Sequence, residues 1–250
     1  MKKSLVIIAF ISFCFGAQGQ SMLDKLKNKK DSLAKKVNSV VTPTSPPALT
    51  NEEVIKGLKE ALSIGTNSSS SMASKLDGYY KNPRIFIPWP QEAADMKTKL
   101  TSLGMQKKIT EFETSLNRAA EEAAKGAATI FIDAITNMSV SDGFAILKGN
   151  DTAATHFLRE NTYSPLKIKF KPVVKDAIAK VKVTSYWNPL VTKYNKIPGV
   201  KKQNPDLEEY VTIKAINGLM LLISDEEAKI RKDPAARVTD LLRKVFGTKP

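Results

Sequence analysis

The chain has 250 residues, 39 basic against 25 acidic, with a single histidine and a single cysteine, for a formal charge of +14. One histidine excludes a multi-histidine metal centre. The lone Cys14 falls inside an N-terminal apolar run, so disulfides, thiolate chemistry and cysteine metal sites are excluded from everything that follows it.

Met1-Lys2-Lys3 precedes an apolar run of 11 residues, 5–15, and then Gly16-Ala17-Gln18-Gly19-Gln20. A basic start, a short apolar core and small residues before a polar one predict a secretory signal peptide over 1–19, cleaved after Gly19. The run is too short to span a bilayer, and no later run approaches the length of about 18 apolar residues that a span needs. Phe13 stands where a lipoprotein signal wants a small residue, so Cys14 reads as part of the apolar core. Cleavage leaves 37 basic and 25 acidic residues, a net +12. The expected address is the periplasm, with peripheral envelope association. The expected partner is an anionic envelope surface or a periplasmic protein. Nucleic acid ranks lower, because no aromatic-interleaved basic motif accompanies the charge.

Residues 20–48 form a basic arm and a linker. Leu23, Leu26, Leu33, Val37 and Val40 keep helical spacing among Lys25, Lys27, Lys29, Lys30, Lys35 and Lys36. That pattern reads either as a solvated or disordered arm or as a basic amphipathic helix on an anionic membrane. The run 42–47, Thr-Pro-Thr-Ser-Pro-Pro, is a stiff linker.

The domain proper spans 49–247 and reads as all-α: one bundle-like domain of about nine to ten helices with one extended Pro-rich segment. Thr50 with Glu53 is a capping box, and Val54, Leu58, Ala61 and Leu62 continue an apolar face. Met72 and Leu76 stay in phase across the serines at 68–71, so the helix is expected to continue until Asp77-Gly78 stops it. Prolines 83, 88 and 90 force an extended run that places Ile85, Ile87 and Trp89 on one face, as cover for the core. Helices are expected over 92–103, 107–125 and 127–138. Their central stripe of Phe112, Leu116, Ala119, Ala123, Ala127, Ile130 and Ala134 bends near Gly126, and its alanines permit close helix packing. A short helix over 140–147 after a Ser139 cap, one over 151–160, and another opened by Ser164-Pro165 come next. Helices over 184–194 and 206–231 follow, and the last is expected to start at Asp233-Pro234 and run to Gly247. No alternating strand pattern of useful length occurs.

Catalytic signatures are missing: there is no nucleophile elbow, zinc-protease motif, phosphate loop or complete calcium loop. His156, beside Phe157, reads as structural. No catalytic residue, metal site or cofactor is therefore assigned. Glu113, Asn117 and Arg118, with Arg237 in the first turn of the expected last helix, read either as interhelical pairing or as a polar pocket for an anionic ligand. Arg237 there would oppose the helix dipole and require an acidic neighbour. Asp225, Glu226 and Glu227 form a further acidic group, with Arg231 placed to pair with Glu227. Lys167, Lys171 and Lys175 line one helix and, with Lys25, Lys29, Lys30 and Lys36, would supply an anion-binding surface.

Six segments taken together, LTNEEVIKGLKEALSIGT, DGYYKNPRIFIPWP, FETSLNRAAEEAA, IFIDAITNMS, LVTKYNKIP and DPAARVTDLLRKVFG, resemble the bacterial family called domain of unknown function 4197. The resemblance covers about 49–247. It implies a helical domain of exported Gram-negative proteins and no established activity, so no functional residue carries over. The leading expectation is a non-enzymatic envelope-binding protein. The alternatives are a carrier of a small hydrophobic or anionic ligand between helices, and a carboxylate-based enzyme around Glu113 or Asp225.

Overall fold

The computed structural model describes residues 48–247; the expected signal peptide over 1–19 and the expected basic arm with Lys25, Lys29, Lys30 and Lys36 lie outside them. Among the described residues there are nine α-helices and no strand. Helix α1, Asn51–Ala73, begins with the expected capping box: Glu53 N–H donates to the Thr50 hydroxyl, and Thr50 N–H donates to the Glu53 carboxylate. It continues through the serine run because small side chains suit a close crossing. Ser69 and Ser70 are buried, and the Ser70 hydroxyl donates to the Ala124 carbonyl at 2.6 Å. The helix ends at Ala73, and the chain turns beyond it at Asp77, in the left-handed region at φ 68°, and at Gly78, where a Cβ would sit 2.5 Å from the Met72 carbonyl oxygen.

Residues 83–90 then run irregularly, with Ile85, Ile87 and Trp89 all turned into the core. A 3-10 turn, Gln91–Ala93, leads into α2, Ala94–Ser102, and a tight corner connects it to α3, Gln106–Ala124. Helix α4, Ala127–Asn137, follows the turn at Gly126. These bounds match expectation to within about two residues.

Three expectations need correction. Helix α5 is only Gly143–Leu147; its cap is Asp142, whose carboxylate accepts from Ala145 N–H, and not Ser139. The two helices expected on either side of Ser164-Pro165 are one, α6, Ala153–Lys180, with Pro165 and Pro172 inside it. Each proline removes one backbone donor, but both lie on the exposed side, where water can serve the freed carbonyls of Asn161 and Ile168. The opposite face, Leu158, Leu166, Phe170, Val174 and Ala177, is buried without interruption. Helices α7, Val183–Asn195, and α8, Leu207–Lys232, lie as expected, the latter capped by Asp206.

The third correction concerns Arg237. The chain after α8 makes only a 3-10 turn, Pro234–Ala236, and α9, Asp240–Gly247, starts after Thr239. Arg237 is therefore outside any first helical turn. Its guanidinium folds back and donates to the carbonyls of Ile230 at 3.0 Å and Arg231 at 2.9 Å, capping the C-terminal end of α8. There the dipole favours a cation, so no acidic compensator is needed. Arg237→Ala should cost about 1 kcal/mol in urea unfolding, with fraying confined to the last turn of α8.

Packing follows from these faces. Helix α1 lies along α8, α8 along α6, and α3 against both α6 and α7, while α4 fills the space between α1 and α6. The aromatic centre is Trp89, Phe112 and Trp187, with ring centroids 4.6 to 5.3 Å apart, and T-shaped and tilted contacts between them. Among the described residues, no helix is long and apolar enough to cross a membrane.

Candidate functional site

Glu113, Asn117 and Arg118 were expected either to tie helices together or to floor a pocket. All three tie elements together, and Arg118 also lines a groove with Thr110 and Thr114. An irregular segment cannot satisfy its own backbone, and 79–89 is served by α3. Asn117, wholly buried, accepts from Ile87 N–H at 2.8 Å and donates to the carbonyls of Ile87 at 2.9 Å and Glu113 at 2.8 Å. Four residues earlier, Glu113 accepts from Trp89 N–H at 3.2 Å and from Lys97 at 2.6 Å. Four residues later, the buried Glu121 accepts from Tyr79 and Tyr80 N–H, each at 3.1 Å. Arg118 bridges Glu121 and Asp77, both at 2.6 Å, with its guanidinium over the Tyr80 ring. Lys81 first, and Arg118 second, hold the Asp77 carboxyl below its ordinary pKa. The stability from that shift is present at neutral pH and is lost as the pH falls below the usual aspartate range. Burial, with the Glu121 charge, pushes the Tyr79 phenol up; its hydroxyl donates to the Ala215 carbonyl at 2.8 Å.

Arg237 stands apart from this ladder, so the four residues do not make one anion site. Glu121 was missed in the sequence. Its spacing from Glu113 and Asn117, beside a segment with unpaired amides, is the signal that could have found it.

A second polar node joins three helix ends. Glu227 is 1 % exposed and accepts from Ala154 N–H at 2.9 Å and from Thr155 N–H and hydroxyl, both at 2.7 Å. It thereby caps the start of α6. Arg231, the expected partner four residues on, donates to Glu227 at 2.8 Å and to the carbonyls of Leu147 and Ile146 at the end of α5. This node is also structural: its donors and acceptors meet each other.

The expected lysine row divides. Lys167 and Lys171 both pair with Glu209, at 2.8 and 3.1 Å, while Lys175 has no ion pair among the described residues. Lys167 and Lys171 draw the Glu209 carboxyl below its ordinary pKa. A stronger cationic surface forms elsewhere. Between Asp176 and Asp206 the chain holds six lysines and no acidic residue. Helix α7 lies in this run. Its Trp187 stacks on Phe112, while Val181 and Tyr186 share a groove with Arg118, Thr114 and Thr110 of α3. The corner between α2 and α3 carries Lys99 in the last turn of α2 and Lys107 and Lys108 in the first turn of α3, while Lys193 and Lys196 stand at the C-terminal end of α7, where Asn195 accepts from Gln203 N–H at 3.0 Å. All five lysines are exposed, and none has an ion pair among the described residues. Of the five acidic residues on α2, α3 and α7, Glu113, Glu121 and Glu122 are engaged by Lys97, Arg118, Lys125 and Lys180, leaving Asp95 and Glu111.

A family model described as a protein of unknown function, DUF4197, matches residues 48–247, the whole of this helical domain. The chain belongs to the DUF4197 family. No curated protein and no solved structure matches it.

The DUF4197 domain also carries surface clefts. One of about 370 Å³ lies between α4 and α6, with Met138, Leu166 and Pro165 among its apolar lining and the Asp133–Lys169 ion pair in its wall. Another of about 450 Å³ is lined by His156, Arg159 and Asn217. His156 has 68 % of its side chain exposed and lies 3.5 Å from Glu160 along the same helix. The carboxylates weighed for catalysis sit on different elements, Glu113 with Lys97 and Asp225 with Arg84. Among the described residues of the DUF4197 domain, no group of three or more histidine, cysteine, aspartate or glutamate side chains is placed to hold a metal ion.

Proposed function

We propose that this chain is an exported, non-catalytic binding protein whose domain docks on an anionic surface of the cell envelope. The supporting observation is the set of three exposed lysines, Lys99, Lys107 and Lys108, at the corner between α2 and α3, without ion-pair partners among the described residues. Other lysines of the domain, Lys125, Lys167, Lys171 and Lys180, meet carboxylates. Leaving this corner unpaired keeps its field available to an outside anion. The signal-peptide reading of 1–19 puts the domain where lipid headgroups and acidic envelope polymers are the abundant anions.

Each lysine held near an anionic membrane contributes about 1 kcal/mol, so Lys107→Gln with Lys108→Gln should weaken vesicle binding roughly thirtyfold. Co-sedimentation of the full chain with anionic and with zwitterionic vesicles, at low and at high salt, checks it. Salt-sensitive binding to the anionic vesicles alone is expected. Equal retention on both vesicle types would remove the proposal.

A further inference from the structure

The basic corner has an apolar tip. At the corner between α2 and α3, Met105 N–H donates to the Leu100 carbonyl at 3.0 Å and Gly104 N–H to the Thr101 carbonyl at 2.9 Å, with Gly104 in the left-handed region at φ 75°. This pair of bonds closes the helix end as a Schellman turn, in which the residue before the glycine points away from the helix. Leu100 is buried beneath the turn and Met105 packs on the core, so the corner is anchored. Leu103 is what the anchored turn projects, and it is 51 % exposed. A Cβ built on Gly104 would meet nothing within 4 Å, so the corner stands clear of the rest of the fold.

Resting on the anionic-surface reading, we infer that this corner is a membrane wedge: Leu103 enters the acyl boundary of an anionic lipid bilayer while Lys99, Lys107 and Lys108 bind the phosphates around it. The spacing suits that role. Lys99 and Lys107 each stand four residues from Leu103, about one helical turn back from the tip, within the depth of about 5–10 Å that interfacial side chains reach. Lysine stems can lie along the boundary with their ammonium groups in the headgroups. The bilayer is favoured over a soluble acidic polymer because only a bilayer supplies an apolar phase for Leu103. A leucine surrounded by lysines gains nothing from a hydrated polyanion.

The test uses the full chain with phosphatidylglycerol–phosphatidylcholine vesicles. Leu103→Ser should weaken partition roughly tenfold, the effect of removing one inserted leucine side chain, with the salt dependence unchanged. Because Leu103 is half exposed, its melting temperature should match that of the wild type. In Leu103→Trp, tryptophan emission should shift to the blue on vesicle binding and be quenched by brominated acyl chains; the buried Trp89 and Trp187 supply the unshifted background, measured in the wild type. Wild-type affinity of Leu103→Ser, together with no quenching of Leu103→Trp, would overturn the wedge. If salt-sensitive vesicle binding persisted in that case, docking by charge alone would stand. Binding to a soluble acidic polymer but not to vesicles would likewise overturn the wedge and leave the broader reading intact. Failure to bind either would end both.

Discussion

Glu227→Ala should lower the unfolding free energy by about 3–5 kcal/mol, the largest single-site effect expected in this domain. Three donors lose their acceptor at once: Ala154 N–H, Thr155 N–H and the Thr155 hydroxyl. Arg231, with a side chain only 9 % exposed, is left as a nearly buried cation held by two carbonyls. The melting temperature should fall by on the order of 10 °C for a domain of this size. Arg231→Ala should cost less, since the Glu227 carboxylate keeps its contacts at the start of α6. The double variant should cost less than the sum of the two singles, because it leaves no orphaned charge. Urea denaturation of the four proteins gives the cycle directly. An additive double variant would mean that the two residues do not share a node.

Asn117→Leu should cost about 2–5 kcal/mol at this wholly buried site, although leucine has the same number and branching of side-chain heavy atoms as asparagine. The bulkier leucine adds some overpacking, but the main loss is polar. The substitution strands the Ile87 N–H and carbonyl in the interior, two of the groups that dock the Pro-rich segment on α3. The damage should be local as well as global. By hydrogen exchange, the Ile87 amide should lose protection in Asn117→Leu, while in Glu227→Ala the loss should centre on Ala154 and Thr155. Asn117→Asp is a useful second variant. It keeps an acceptor for Ile87 N–H but sets a charge against the carbonyls of Ile87 and Glu113, so it too should destabilise. A stable Asn117→Leu protein with a protected Ile87 amide would contradict the ladder.

The helices were legible because their apolar faces repeat at helical period over long stretches, as in Phe112, Leu116, Ala119 and Ala123. The extended Pro-rich segment was legible from its prolines and alternating side chains. What failed were rules that act locally. Ser164-Pro165 has the chemistry of a helix start, yet Pro165 sits on the solvent side of a helix whose buried face runs unbroken beneath it, and packing decided the outcome. Asp233-Pro234 has the same chemistry and gives only one 3-10 turn, because Arg237 is drawn back to the carbonyls of α8. Both pairs look alike in sequence. The polar residues divided in a similar way. Glu227 with Arg231 could be foreseen from helical spacing, but their contacts to the ends of α5 and α6 could not. The basic corner was hidden because Lys99 and the pair Lys107 and Lys108 lie on two helices that meet at the turn between α2 and α3. Leu103 carries no signal in the sequence, where an exposed leucine and a core leucine look the same.

The most direct measurement of the proposed role compares two charge reversals of equal size. Lys107→Glu with Lys108→Glu alters the basic corner; Lys75→Glu with Lys148→Glu makes the same change in net charge at lysines elsewhere in the domain. Both should be titrated with anionic vesicles at low salt beside the wild-type chain. Docking through the corner formed by α2 and α3 predicts that the first pair abolishes binding while the second leaves it within a few-fold of wild type. Equal loss in both would show that total charge, and not this surface, sets the affinity.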